Sequence, residues 1–465
     1  MTKKRIFFSV GEPSGDLHAS NLILDLKKQL NERDSGDQEI NDKSSAIEFT
    51  GFGGPKMSDV GCELLEDLTQ HAVMFLSGVI SKYAKFRRLL KDAEKVFRSE
   101  SIDLVVLIDY SGFNWHVAKA AKKHGIPVVF YGIPQMWAWA PWRVRKMRRN
   151  VNLGICKLPF EKQWLEDRHC DAEYVGHPFF DEMDRQKIDQ NYVAKFRDEN
   201  LLAEQRWGGG NASELKNVSQ PRELVTILPG SRIQEIKNCL PIFLRTAENI
   251  KKQRPQTEFV VSCLNEDQKK LALDIQANEN VGTEIQIEGG KTPELVHLAK
   301  CCIACSGSVS LELMHREKPT VIYYRLSKLF FAMQKLFLRI KYITLVNLLW
   351  SKSIKRKGMA VYDPDSPNAE QLPFPEYLTT VDKSEEMAGQ IVQLLNDPLV
   401  FEERTSMLRS LKQRYGAAGA SQRAAALIID RFLQAEGRDA TTTDRNDGRP
   451  ASPKGKPTEY VSDVA

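Results

Sequence analysis

Two stretches of this sequence combine residue types that can do chemistry with backbone features that would aim them. The first is Thr226-Ile227-Leu228-Pro229-Gly230-Ser231-Arg232, followed by Ile233-Gln234-Glu235-Ile236. An apolar, β-prone run from Leu224 to Leu228 is stopped by Pro229 and Gly230, and amphipathic periodicity begins near Ser231. A strand, a tight turn and a helix N-terminus offer unpaired amides and the positive end of a helix dipole. Arg232 adds a fork-shaped cation suited to phosphate oxygens. Read alone, this is either a diphosphate site on Gly230, Ser231 and Arg232 or an ordinary strand-to-helix turn with a solvated arginine. The second stretch, Ser306-Gly307-Ser308-Val309-Ser310-Leu311-Glu312, repeats the device. Its small residues Ser306 and Gly307 expose a second helix N-terminus, and Glu312 lies one to two turns further on, where a carboxylate can take both hydroxyls of a ribose. The two together imply a nucleotide-sugar donor.

A base is the complementary requirement. The nearly all-apolar run Ile102 to Ile108 reads as a parallel strand buried on both faces, and it delivers Asp109 at its carboxyl end. A carboxylate there is partly desolvated and aimed at a ligand crevice, which favours a base; capping of the next helix is the alternative. Upstream, Gly11-Glu12-Pro13-Ser14-Gly15-Asp16 follows the first strand. Its spacing is not that of a dinucleotide fingerprint, and Glu12 and Asp16 have the wrong sign for a phosphate. Glu12 and Asp16 are better suited to sugar hydroxyls, with Ser14 a further substrate contact, and helix capping is equally open for Ser14 and Asp16. Asn347 reads as a polar contact in a cleft or as a helix cap.

The elements that must position these residues alternate. Strands are expected at Arg5 to Val10, Ala46 to Thr50, Ile102 to Ile108, Pro127 to Tyr131, Val151 to Cys156 and up to Tyr174. After a break the alternation resumes at Leu224, with strands at Glu258 to Cys263, Glu284 to Ile287, Cys301 to Cys305 and Pro319 to Tyr324. The fold class is therefore α/β, with two Rossmann-like doubly wound domains facing across a cleft. The expected bounds are 1–185 for the first domain, 186–222 for a linker or insertion and 223–416 for the donor domain. A final amphipathic helix spans about 417–435, and a polar, disordered tail 437–465. At 465 residues the chain is too long for one ordinary core.

Composition narrows the class. With 42% hydrophobic and 27% charged residues, and 66 basic against 61 acidic side chains, the chain has the make-up of a soluble globular protein. The aromatic loop Pro134 to Trp142, followed by Arg143, Arg145, Lys146, Arg148 and Arg149, belongs to no nucleic-acid module, and no nucleic-acid partner is expected. Eight cysteines without paired spacing or a secretory signal suit a reducing cytoplasm. Cys301, Cys302 and Cys305 read as buried strand residues, and neither metal nor cofactor is expected. No run reaches the roughly 18 apolar residues of a spanning helix. Two stretches could instead lie on a bilayer: Val73 to Tyr83, through Val73, Phe75, Leu76 and Val79 with the basic helix beyond it, and Phe330 to Tyr342, through Phe330, Phe331 and Phe337. A core helix with a solvated basic end is the alternative for the first.

With these residues laid out, the chain resembles the lipid-A-disaccharide synthase family from Arg5 to about Phe432. The likeness rests on Gly11-Glu12-x-Ser14-Gly15-Asp16, Ile108-Asp109 with Phe113-Asn114, Trp137-Ala138-Trp139, Leu158-Pro159-Phe160-Glu161 and Gly176-His177-Pro178. It continues through Leu228-Pro229-Gly230-Ser231-Arg232, Ser306-Gly307 with Leu311-Glu312, Tyr324-Arg325 and Asn347-Leu348-Leu349. The resemblance implies an inverting, metal-independent glycosyltransferase of the GT-B type. Its substrates would be UDP-2,3-diacylglucosamine and 2,3-diacylglucosamine 1-phosphate, joined by a β-1,6 bond with release of UDP. It also implies a peripheral position on the cytoplasmic face of the inner membrane, and a homodimer stays open. Another UDP-sugar enzyme of the same architecture, or a nucleotide-sugar-binding protein, are the alternatives. Three features depart from the family pattern: Gly112 stands where a second Asp is usual, Pro13 where a small residue is common, and 186–222 and 351–373 are longer.

Overall fold

In the computed structural model the described residues are 4–34, 47–69, 79–200, 222–279, 281–356, 358 and 361–434, with side chains 34, 79–83 and 334–336 excepted. Val73, Phe75 and Leu76, the side chain of Val79, and the tail 437–465 lie outside them.

Two parallel sheets organise the chain. The first contains β1 (Lys4–Val10), β2 (Ile47–Gly53), β3 (Cys62–Asp67), β4 (Leu104–Ile108), β5 (Val128–Tyr131), β6 (Leu153–Cys156) and β7 (Ala172–Tyr174), in the order β3-β2-β1-β4-β5-β6-β7. The second contains β8 (Glu223–Leu228), β9 (Thr257–Cys263), β10 (Gln286–Gly289), β11 (Cys301–Cys305), β12 (Thr320–Arg325) and β13 (Glu376–Thr379), in the order β10-β9-β8-β11-β12-β13. Each order reverses direction once, between β1 and β4 and between β8 and β11. At such a reversal the flanking loops diverge and leave a crevice at the carboxyl edge. The central strands β4 and β11 are buried along their whole length, which is why both read as unbroken apolar runs.

Two strands escaped the sequence reading. Strand β3, Cys-Glu-Leu-Leu-Glu-Asp, is an edge strand with half-exposed acidic residues, and its charge hides the strand signal. Strand β13 is four residues long and carries a buried glutamate, Glu376, just after Pro375.

Of the interval 186–222, residues 201–221 lie outside the described residues, and the part before them carries a helix. Gln190–Glu199 is a helix whose N-terminus is capped by Asp189, and it buries Val193 and Phe196 against Leu224, Val260, Leu295 and Leu298 of the second half. Its apolar face is only two residues wide, too little for a clear periodic signal. The stretch Lys328 to Tyr342 also divides: the helix ends at Phe337, and Ile340 and Tyr342 turn into the core.

The C-terminal helix Ala420–Ile428 packs on the helix Pro13–Asp34, burying Ala424, Ala425, Ile428 and Ile429 with Ile6, Phe8 and Leu22. Asp181 secures the crossing. Its carboxylate accepts the amides of Gly419, Ala420 and Ser421 at 2.6, 3.0 and 2.9 Å and the Ser421 hydroxyl at 2.8 Å.

Candidate active site

The first crevice is set by an asparagine. Asn114 is fully buried; its amide donates to the carbonyls of Ser9, Ile108 and Asp109 at 3.1, 3.1 and 3.0 Å, and its oxygen accepts the Ser9 hydroxyl at 2.6 Å. One side chain thus ties the ends of β1 and β4 together at the point where they diverge. It also holds Asp109 and Tyr110 in left-handed conformations, φ 49° and 36°, which non-glycine residues adopt only when their surroundings impose it. The Asp109 carboxylate consequently lies beside Gly15, where an added Cβ would stand 3.0 Å from its Oδ2. Lys157, just beyond β6, places its Nζ 3.6 Å from Asp109 Oδ1.

Glu12 occupies the exposed rim of the same crevice, with Ser14 exposed beside it. Crowding around the Glu12 carboxyl raises it above the ordinary carboxylate range and Asp109 acts in the same sense, while Arg232 and Lys157 oppose them. Arg232 is thus near enough to Glu12 to act on its charge, so the two crevices face each other. His18 and His177 lie within electrostatic reach of Lys157. Burial lowers His18 to about 4 and His177 well below its usual range, and Lys157 adds to both shifts, so the two imidazoles are neutral. Neither was singled out as a site residue from sequence, although Gly176-His177-Pro178 was noted; only the packing brings them together.

Asp16 is not a sugar ligand. It is buried, and its carboxylate accepts the amides of Gly54, Lys56 and Met57 at 2.9, 3.0 and 3.1 Å, capping the short helix Pro55–Asp59 that follows β2. The cap serves a neighbouring helix instead of its own. Trp137 and Glu161 are likewise structural: the indole donates to Glu161 Oε1 at 3.0 Å, and Oε2 accepts the amides of Lys157 and Leu158.

The second crevice differs from expectation in one respect. The amides of Ser231 and Arg232 are not open; both donate to Glu235 Oε2, at 3.0 and 3.1 Å, while Oε1 takes the Arg232 guanidinium at 2.9 Å. Gly230 permits this closure. Its φ is 116°, and a Cβ would meet Glu235 Cβ at 2.6 Å. The Arg232 side chain remains 77% exposed.

At the partner turn, Ser306 and Gly307 lead into the helix Val309–His315, with open space where a Gly307 Cβ would stand. Glu312 is buried and raised by desolvation, and Arg316 Nε holds its Oε1 at 3.0 Å. Beneath both turns, the thiols of Cys239 and Cys305 lie 3.9 Å apart.

Asn347 requires correction. It is fully buried, donating to the Phe374 carbonyl and to Glu376 Oε2 at 2.8 Å each and accepting the Phe374 amide at 3.1 Å. It clamps the helix Leu345–Trp350 to β13 and cannot touch a ligand in the cleft.

Comparison with known proteins decides the family. A family model described as lipid-A-disaccharide synthetase matches residues 6–370. The chain belongs to the lipid-A-disaccharide synthetase family. The lipid-A-disaccharide synthase of Trichlorobacter lovleyi is 29% identical over 437 residues, covering 93% of this chain and 98% of that protein. That of one Coxiella burnetii strain is 28% identical over 429 residues, covering 92% and 98%. Among solved structures, the UDP-GlcNAc 2-epimerase of Neisseria meningitidis bound to UDP-GlcNAc superposes with a TM-score of 0.52 at 11% identity, covering 92% of this chain and 99% of that one. The α,α-trehalose 6-phosphate synthase of Burkholderia multivorans superposes with a TM-score of 0.51 at 11% identity, covering 92% and 98%. These two speak for the two-domain architecture alone. This synthetase is thus a glycosyltransferase of lipid A biosynthesis that forms the disaccharide.

Proposed function

We propose that the cleft between the two crevices joins UDP-2,3-diacylglucosamine to 2,3-diacylglucosamine 1-phosphate, with Asp109 as base and Arg232 as the group that meets the departing UDP. The single observation that supports this is the nearness of Glu12, beside Asp109 at the β1/β4 reversal, to Arg232 at the β8/β11 reversal. Inversion at the anomeric carbon needs the acceptor 6-hydroxyl deprotonated on the face opposite the leaving group, and a carboxylate on the far rim answers that need. Charge growing on the diphosphate is met by the Arg232 guanidinium, which stays 77% exposed although Glu235 closes the turn behind it. Ser306 and Gly307 would line the nucleotide's path and Glu312 its ribose; Glu12 and Ser14 would hold acceptor hydroxyls. This assigns 1–185, with the returning helix at about 417–435, to the acceptor and 223–416 to the donor.

On this reading the enzyme meets its acylated substrates as a peripheral protein on the cytoplasmic face of the inner membrane. Among the described residues no helix is long and apolar enough to cross a membrane. The helix Lys328–Phe337 instead exposes Leu329, Phe330 and Phe337 at 70%, 62% and 52%. The Arg339 amide donates to the Ala138 carbonyl at 2.8 Å, so exposed Trp139 and Trp142 lie close by, with Arg145, Lys146, Arg148 and Arg149 following. An apolar face rimmed by cations suits an anionic lipid surface. The basic stretch after Val79 supports this less, since Lys85 and Arg88 both pair with Glu66 at 2.9 Å. A homodimer on the membrane is compatible with this reading.

The test is mass analysis of product from purified protein with both defined acylated substrates. Turnover of UDP-N-acetylglucosamine without an acylated acceptor would replace this reading with that of another UDP-sugar enzyme, and UDP binding without product would leave a binding protein.

A further inference from the structure

The residue pattern at Asp109 leaves a requirement open. A base in this crevice must be held in one orientation, yet among the described residues no hydrogen bond reaches its carboxylate. Position 112, one turn further on, is a glycine whose Cβ would meet nothing within 4 Å. The group that does face Asp109 is the Lys157 ammonium, 3.6 Å from Oδ1, with side-chain exposures of 23% and 20% for the pair.

Lys157 is built into this place. Its backbone amide is fixed by the buried Glu161 carboxylate at 2.9 Å. Its side chain runs across Gly132 at the end of β5, where an added Cβ would stand 3.0, 3.1 and 3.2 Å from Lys157 Cε, Cδ and Nζ. Gly132 has φ 71°, so both the backbone turn and the channel for the lysine depend on that residue. Among the described residues, Asp109 acts electrostatically on Glu12 of the first loop, His18 of the first helix and Tyr131 of β5, and Tyr110 follows it in the chain. His177 lies within electrostatic reach of Lys157 and His18. With both imidazoles neutral, Lys157 is, among the described residues, the cation of the first half that acts on both carboxylates.

We propose that Lys157 is a positioning residue for the transfer, holding the Asp109 carboxylate toward the cleft by charge while leaving its oxygens free to accept the acceptor hydroxyl. This rests on the reading of Asp109 as base. In the step itself the O6–H proton passes to an Asp109 oxygen, and O6 forms its bond to the donor anomeric carbon. The bond from that carbon to the UDP oxygen breaks, with its electron pair leaving on UDP. Lys157 exchanges no proton. At 3.6 Å it is near enough to orient the carboxylate and too far to occupy a lone pair as a short hydrogen bond would.

The experiment compares Lys157→Met, Lys157→Gln, Lys157→Arg and Asp109→Asn in the full-length protein. Disaccharide is assayed by mass, KM is measured for both substrates, UDP binding by calorimetry and folding by thermal unfolding. The Met and Gln variants are expected to lose kcat by about ten- to a hundredfold, with KM and UDP affinity within about twofold of the parent, and Arg to recover most of the rate. Should the Met variant not fold, the Gln and Arg variants carry the comparison. Full kcat in the Met or Gln variant while Asp109→Asn is inactive would overturn the role of Lys157 and leave Asp109 in place. A loss that Arg fails to recover would also overturn it, because charge would not be the cause. Full activity of Asp109→Asn would remove the base assignment and this proposal with it.

Discussion

Glu235 closes the turn that carries Arg232, accepting the Arg232 amide at 3.1 Å with one carboxylate oxygen and its guanidinium at 2.9 Å with the other. The same contact therefore has two consequences, one for the fold and one for the chemistry. Glu235 is nearly buried whereas Arg232 is 77% exposed, so removing the glutamate should act on stability and removing the arginine on turnover. Glu235→Ala is expected to destabilise the protein by about 1–2 kcal/mol, the usual size of a lost helix N-terminal cap. Denaturant titration measures it.

Arg232→Ala is expected to leave the unfolding midpoint within about 1 °C and lower kcat by roughly 10²–10³-fold, the effect of removing one charge-stabilising group from a transition state. Steady-state kinetics with both acylated substrates decides this. An unchanged kcat would mean that the departing diphosphate is met elsewhere.

Asp181 joins the C-terminal helix to the first half through four hydrogen bonds. Asp181→Ala strands three amides and is expected to cost about 3 kcal/mol, with limited proteolysis cutting first near residue 419. Equal protection of that segment in variant and parent would show that the apolar contacts of Ala424, Ala425 and Ile428 suffice.

Burial pushes the Glu376 carboxyl up to about 7, against hydrogen bonds from Ile343, Thr344 and Asn347 that favour its charged form. A carboxyl raised in the folded state keeps its proton there while the unfolded chain releases it near pH 4.5. Its contribution to stability is therefore complete below about pH 4.5 and is lost as pH rises to about 7, a change of up to about 3 kcal/mol. His18, lowered to about 4, acts in the opposite direction over part of that range, losing stability as pH falls from its ordinary 6.5. The informative quantity is the difference between parent and Glu376→Gln, which should shrink steadily from pH 5 to pH 7 in parallel denaturant titrations.

Replacing Leu329, Phe330 and Phe337 together by serine is expected to reduce binding to vesicles rich in anionic lipid by at least about tenfold, since each removes an exposed apolar side chain from the binding face. Turnover of detergent-dispersed substrates should be preserved. Undiminished vesicle binding would assign the membrane contact to another face.

Much of this protein was legible in its residues because parallel strands buried on both faces leave unbroken apolar runs. Ile102 to Ile108 and Cys301 to Cys305 could be placed from sequence, and with them the loops bearing Asp109 and Ser306. Glycine and proline punctuation likewise located Gly230, where a positive φ is required. What sequence alone could not decide was the partner of each polar group. Asp16 caps a helix forty residues away, Glu235 fills the amides expected to be open, and Asn347 spends its hydrogen bonds on Phe374 and Glu376. Lys157 meets Asp109 only because β4, β5 and β6 lie side by side in the sheet. Periodicity reports which face of an element is apolar; which carboxylate meets which cation is set by the order of strands, and that order exists only once the chain has folded.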